Sequence, residues 1–165
     1  MTVLEKRDNR EEMSPLGITS APCLLRMRAQ LRDDIEAHLR RALPHEGVGL
    51  LAVNDIRQGR REMDAVRFFP GTNADASASR FTMEPSEVIA ALREMDDRGW
   101  RLGAIVHSHP HGPAFPSPTD LREARYPEAL MVIVSLASPI PEIGAWWIGS
   151  TGGQAVPRRI PIEVI

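Results

Sequence analysis

From residue 21 onward the apolar residues fall into short bursts whose spacing changes between two and about four along the chain. Cys23-Leu-Leu-Arg-Met-Arg28 predicts a first short strand. Leu31, Ile35, Leu39 and Leu43 then recur every four residues, the spacing of one helical face, until Pro44 ends the pattern. Glu46-Gly-Val-Gly-Leu-Leu-Ala-Val53 predicts a buried strand, and Met63 to Phe69 its hairpin partner across a polar turn from Asn54 to Arg61. Pro70-Gly71 opens a loop of small residues, Thr72 to Ser79. Phe81-Thr-Met-Glu84 leads into a second helix with Pro85 in its first turn. Val88, Ile89, Leu92 and Met95 are its expected apolar face, and Gly99 closes it.

Trp100 to Val106 predicts another strand. Ser117 and Pro118 then suit the N-cap and first position of a short third helix. Ala129 to Leu136 is apolar throughout and rich in Val and Ile, as a central strand would be. Ile143–Ile148 and Ile160–Ile165 supply further strands, with Pro157 and Pro161 marking the last as an edge or irregular strand. Residues 1–20 are polar, broken by Pro15 and Gly17, and show no period; they are expected to form a flexible extension to one domain spanning 21–165. Strands interspersed with three helices predict an α/β fold with a mixed sheet flanked by helices.

A chain of 165 residues suits a single core. Net charge is −2, which gives no general attraction to nucleic acid or to an anionic membrane. Cys23 is the only cysteine, so an internal disulfide and a cysteine-based zinc site are both excluded; the expectation is that it packs as a small apolar residue. A charged N-terminus without an apolar signal core predicts a cytoplasmic protein.

The chemistry concentrates in His107-Ser-His-Pro-His-Gly-Pro-Ala-Phe-Pro-Ser-Pro-Thr-Asp120. Residues i and i+2 of a strand share a face, so His107 and His109, at the end of the strand Trp100–Val106, can aim both imidazoles at one point. Two imidazoles and the Asp120 carboxylate, with a position left open, form the ligand set of a catalytic zinc site. An isolated His-x-His is more often a surface coincidence; Pro110, Ser117 and Asp120 at this spacing reverse that balance. Ser117 offers a hydroxyl that could serve as a helix cap, as an oxyanion donor, or as both. Glu46 heads an apolar strand, where an acid either faces solvent or is placed to act as a base. His111 is expected in a loop, His38 and His45 on a helix face or in solvent, and Trp146-Trp147 as a core-and-surface pair.

Pro-x-Glu46-x-x-Gly-Leu-Leu, followed some sixty residues later by His-Ser-His-Pro and then Ser-x-x-Asp, resembles the motif of the JAMM (MPN+) zinc metalloprotease family. The likeness runs from about residue 22 to the end, with no motif position substituted. Asn73 and Phe81-Thr-Met-Glu-Pro85 are similar to the loop before the second helix in its small bacterial members. The resemblance implies a cytidine-deaminase-like mixed sheet and Zn²⁺ on His107, His109 and Asp120. It also implies Glu46 as the base for the attacking water, Ser117 as the oxyanion donor, and the Gly71–Ser79 loop as a substrate-side flap. The implied activity is hydrolysis of a peptide or isopeptide bond after the C-terminal Gly-Gly of a ubiquitin-like or sulfur-carrier protein. General lysine isopeptidase activity, or a non-catalytic scaffold that binds ubiquitin-like proteins, are the alternatives. A cupin would need a further downstream histidine, a mononuclear iron oxygenase has the reverse order of ligands, and an amidohydrolase barrel would need a longer chain.

Overall fold

A computed structural model describes residues 21–54 and 61–165. The N-terminal extension expected over residues 1–20, and residues 55–60 of the expected turn, lie outside the described residues. In chain order the elements are β1 (Leu24–Met27), α1 (Ala29–Arg41), β2 (Val48–Asn54), β3 (Glu62–Gly71), α2 (Pro85–Asp97), β4 (Trp100–His109), α3 (Pro118–Glu123), β5 (Leu130–Ser135), β6 (Glu142–Thr151), β7 (Gln154–Ile160) and β8 (Ile162–Val164). They form the expected mixed α/β domain around one eight-stranded sheet, ordered β7-β6-β5-β4-β2-β3-β1-β8. Pairing of β4 with β5 is parallel, as is that of β1 with β3 and β8; the other pairs are antiparallel. The outer strands β7 and β8 are one extended segment interrupted only at Pro161, whose carbonyl accepts from the Leu25 amide. The sheet therefore curls until its two rims are joined by a single stretch of chain.

The period-2 alternation of the central strands sorts side chains onto two faces. Leu51, Val53, Ala104, Val106, Val132 and Val134 pack with Ile35 and Leu39 of α1 on one face. Val48, Leu50, Ala52 and Ile105 pack with Ala91 and Met95 of α2 on the other. With both faces covered, β2 and β5 read as unbroken apolar runs rather than alternating ones. His107 and His109 continue the parity of Ile105, so both belong to the α2 face.

Four expectations need correction. The inward stripe of α2 is Val88, Ala91 and Met95, whereas Ile89 and Leu92 are 51% and 36% exposed. Val88 and Met95 face inward as expected; the stripe runs through the small, buried Ala91 rather than through the larger Ile89 and Leu92. Leu43 is exposed because α1 ends two residues before it. Cys23 is exposed too: it precedes β1, at the sheet rim, so the alternation that buries Leu25 and Met27 does not extend back to it. Finally, the segment before Ile160 is a full strand, β7, hidden in the sequence by its polar composition, and its Pro157 is tolerated because β7 lies at the end of the sheet order. Among the described residues, no helix is long and apolar enough to cross a membrane.

Candidate metal centre

β4 and β2 bring the candidate residues together through their register. Val48 pairs with His107 in an antiparallel ladder. The Ser108 amide donates to the Gly47 carbonyl at 3.0 Å, and the Gly47 amide donates to Ser108 Oγ at 2.8 Å. Continued by one step, that register sets Glu46 opposite His109, and directly opposed residues project to the same face. Ser108 is fully buried, so the serine between the two histidines is a clamp on the residue that follows Glu46. A Cβ on Gly47 would come within 2.8 Å of Leu39 Cδ2 and 3.0 Å of Leu39 Cα, so only glycine lets the chain pass this close to α1.

Asp120 arrives from the first turn of α3. Ser117 Oγ accepts from the Asp120 amide at 3.0 Å, and Asp120 Oδ2 accepts from the Ser117 amide at 2.8 Å, a reciprocal capping box. The cap thereby fixes the orientation of the carboxylate. Oδ2 lies 3.1 Å from His109 Nε2 and 3.3 Å from His107 Nε2, and the two Nε2 atoms are 3.2 Å apart. All three side chains are buried.

This triangle has the dimensions of a metal site. Ligands at about 2.0–2.1 Å around a tetrahedral zinc ion are separated by about 3.3 Å. Its proton inventory agrees. His109 Nδ1 lies 2.7 Å from the Pro113 carbonyl, which can only accept, so Nδ1 carries the hydrogen. In the neutral ring, Nε2 then turns a lone pair toward a carboxylate oxygen 3.1 Å away. Two lone pairs so placed require a cation between them, either a proton or a metal ion. The expected ligand set His107, His109 and Asp120 is therefore assembled in a geometry that fits a divalent ion.

The electrostatics follow from burial and mutual contact. For Asp120, burial alone would raise the proton affinity, but the hydrogen bonds to His107 and His109 outweigh it and hold the carboxyl well below the usual range. Burial lowers the pKa of His107, outweighing its contacts with Asp120. His109 is also buried, but its contacts with Asp120 and the Pro113 carbonyl win and raise it.

Glu46 is 3% exposed, and among the described residues its Oε2 has no hydrogen-bond partner. Burial, partly offset by the attraction of His109, pushes its pKa up to about 7 from 4.5. Its backbone is held on both sides: the amide donates to the Ser77 carbonyl at 2.8 Å, and the carbonyl accepts from Asn73 Nδ2 at 3.0 Å. A pH dependence follows. With metal removed, Glu46 keeps its proton to about pH 7 in the folded state but only to about 4.5 when unfolded. Its contribution to stability is thus fully present below pH 4.5 and is lost as pH rises through 7. Denaturant unfolding in chelator should show wild type losing stability relative to Glu46→Gln across that window. A difference that does not change with pH would contradict a buried, uncompensated Glu46.

Of the remaining expectations, His111 and His45 are exposed. His38 lies on α1, with Nε2 3.0 Å from the Val48 carbonyl and 3.2 Å from the Gly71 carbonyl, tying the helix to β2 and β3. Trp146 is buried and Trp147 partly so; the Trp146 indole N–H donates to the Ala114 carbonyl at 3.0 Å, anchoring the loop between His109 and Asp120. That anchor, the Ser108 clamp and the Pro113 carbonyl were not anticipated from sequence. Beside the triangle runs a groove of about 500 Å³, bordered by Asp120 and Thr119 and walled by Phe81, Met83, Val88 and Met131.

Comparison with known proteins gives a consistent result. A family profile described as prokaryotic homologs of the JAB domain matches residues 28–155. A protein of Thermus thermophilus named a probable TtuB-protein conjugate cleaving protease is 41% identical over 96 residues, 58% of this chain and 60% of the relative. The CysO-cysteine peptidase of Mycobacterium tuberculosis is 35% identical over 116 residues, 70% of this chain and 76% of the relative. A solution structure from Desulfitobacterium hafniense superposes with a TM-score of 0.72 at 32% identity, covering 86% of this chain and 94% of that one. A second, from Salinibacter ruber, gives 0.61 at 27% identity over 83% and 90%.

Proposed function

The chain belongs to the prokaryotic JAB (JAMM/MPN) family, and from that premise we propose that it is a zinc-dependent peptidase cleaving the bond after the C-terminal Gly-Gly of a ubiquitin-like or sulfur-carrier protein. The observation that carries the reading is the buried triangle of His107 Nε2, His109 Nε2 and Asp120 Oδ2 together with the buried Glu46, whose Oε2 has no hydrogen-bond partner among the described residues. Zinc held by these three residues would supply a Lewis acid and lower the pKa of a bound water toward about 7.

Glu46 is the base. Its raised proton affinity suits it to take a proton from the attacking water and return it to the departing amine near neutral pH. Ser117 is the oxyanion donor. Capping the Asp120 amide uses a lone pair of Oγ and leaves the hydroxyl hydrogen free to donate to the carbonyl oxygen as negative charge develops. Ser117→Ala should therefore lower kcat about 10²–10³-fold with little change in KM. Loss of the cap should also cost about 1 kcal/mol of stability. Steady-state kinetics beside thermal unfolding separate the two; unchanged kcat would reduce Ser117 to a cap.

For the substrate, the names of the Thermus and mycobacterial relatives describe scission of a TtuB–protein conjugate and of a CysO–cysteine bond. The groove bordered by Asp120 is the entry route for a carrier's extended Gly-Gly tail in this reading. The cytoplasmic setting read from the sequence goes with this reading. The test is mass spectrometry of two conjugates of a Gly-Gly-tailed carrier after incubation with zinc-loaded enzyme, one joined to cysteine and one to a lysine side chain. Release of free carrier from the cysteine adduct is expected. Release only from the lysine conjugate would favour an isopeptidase, and release from neither would overturn the proposal.

A further inference from the structure

The two histidines of the triangle are oriented by different means. His109 has its second ring nitrogen on the Pro113 carbonyl, the kind of hydrogen bond that almost always orients a metal-ligating imidazole. His107 has no equivalent. It is fully buried, and among the described residues its Nδ1 has no hydrogen-bond partner. What lies against its ring is Phe81, with centroids 4.5 Å apart and planes inclined by 29°, a stacked pair.

Phe81 is itself held firmly. The Asn73 side chain grips the residues on either side of it: Nδ2 donates to the Arg80 carbonyl at 3.0 Å, and Oδ1 accepts from the Thr82 amide at 3.1 Å. The same amide makes two further bonds, accepting from the Asp75 amide and donating to the Glu46 carbonyl. All four hydrogen-bonding positions of Asn73 are used, and an Asn73–Met83 bridge closes the loop. The loop that carries Phe81 is thus fastened to the backbone of Glu46.

We infer that Phe81 is a positioning residue for the metal centre, holding the plane of His107 by stacking where no hydrogen bond does so. The inference rests on the metal reading above. An imidazole bound to a cation is electron-poor and attracts the face of a phenyl ring more than a free imidazole does. The contact therefore strengthens on metal loading, and only such a differential contact shifts a binding equilibrium.

The test compares wild type, Phe81→Leu and Phe81→Tyr, with zinc affinity read by competition against a chromogenic chelator. The visible absorption of the cobalt-substituted proteins reports ligand geometry independently. Phe81→Leu should bind zinc 10–100-fold more weakly, the usual cost of losing a partner that orients a metal ligand, and should alter the cobalt spectrum. Phe81→Tyr, which keeps the ring, should match wild type in both. If Phe81→Leu binds zinc with wild-type affinity and an unchanged spectrum, or if Phe81→Tyr is impaired as much as Phe81→Leu, the inference is wrong while the metal reading stands. If wild type takes up no ion, both fail.

Discussion

Glu46→Gln should reduce kcat by about 10²–10⁴-fold, the usual contribution of a positioned general base, without loss of metal. Gln has nearly the same size and shape, and the backbone contacts that hold residue 46, to Ser77 and Asn73, do not involve its side chain. The variant should therefore fold and keep the triangle. What it loses is the group that accepts the proton, since an amide has no basic oxygen at these pH values. It should also be at least as stable as wild type above pH 7, where wild type must hold a buried carboxylate with an oxygen that has no partner among the described residues. Single-turnover rates measured on protein of known metal content check both expectations. Hydrolysis persisting at the wild-type rate would exclude Glu46 as the base, and with it the mechanism.

The second large effect concerns Asp120. Asp120→Asn keeps an oxygen able to accept from the Ser117 amide, so the cap on α3 should survive. The negative charge shared by His107 and His109 does not. Wild type with zinc at 1,000 times its dissociation constant gains about 4 kcal/mol of stability, because the folded state alone binds the ion. The Asn variant should show most of that gain abolished at the same zinc concentration and hydrolysis below detection. Thermal unfolding with and without zinc reads the first, and a cleavage assay the second. An equal zinc-induced shift in both proteins would mean that the ion binds elsewhere.

The candidate centre was legible in the sequence because its geometry is local. The alternation of a strand places His107 and His109 on one face, and a capping box fixes Asp120 from three residues away. Glu46 needs more, namely the pairing of β2 with β4, because residue pattern alone leaves a solvent-facing acid as the other reading. Contacts that close over longer distances left no local signal: Trp146 with Ala114 thirty-two residues away, Asn73 with Glu46, Phe81 with His107. For α2, a stripe through Ala91 and one through Ile89 and Leu92 share Val88 and Met95, and periodicity does not choose between them. The tendency of cysteine to pack as a small apolar residue carries no information about position, and Cys23, one residue ahead of β1, is exposed.

The central claim is that three side chains meet on one divalent ion with Glu46 outside its coordination. Anomalous difference density from a zinc-loaded crystal tests this most directly. The account predicts one strong peak per chain, within about 2.0–2.2 Å of His107 Nε2, His109 Nε2 and an Asp120 carboxylate oxygen, with Glu46 beyond bonding distance. A peak elsewhere, or one bonded to Glu46 in place of Asp120, would contradict it.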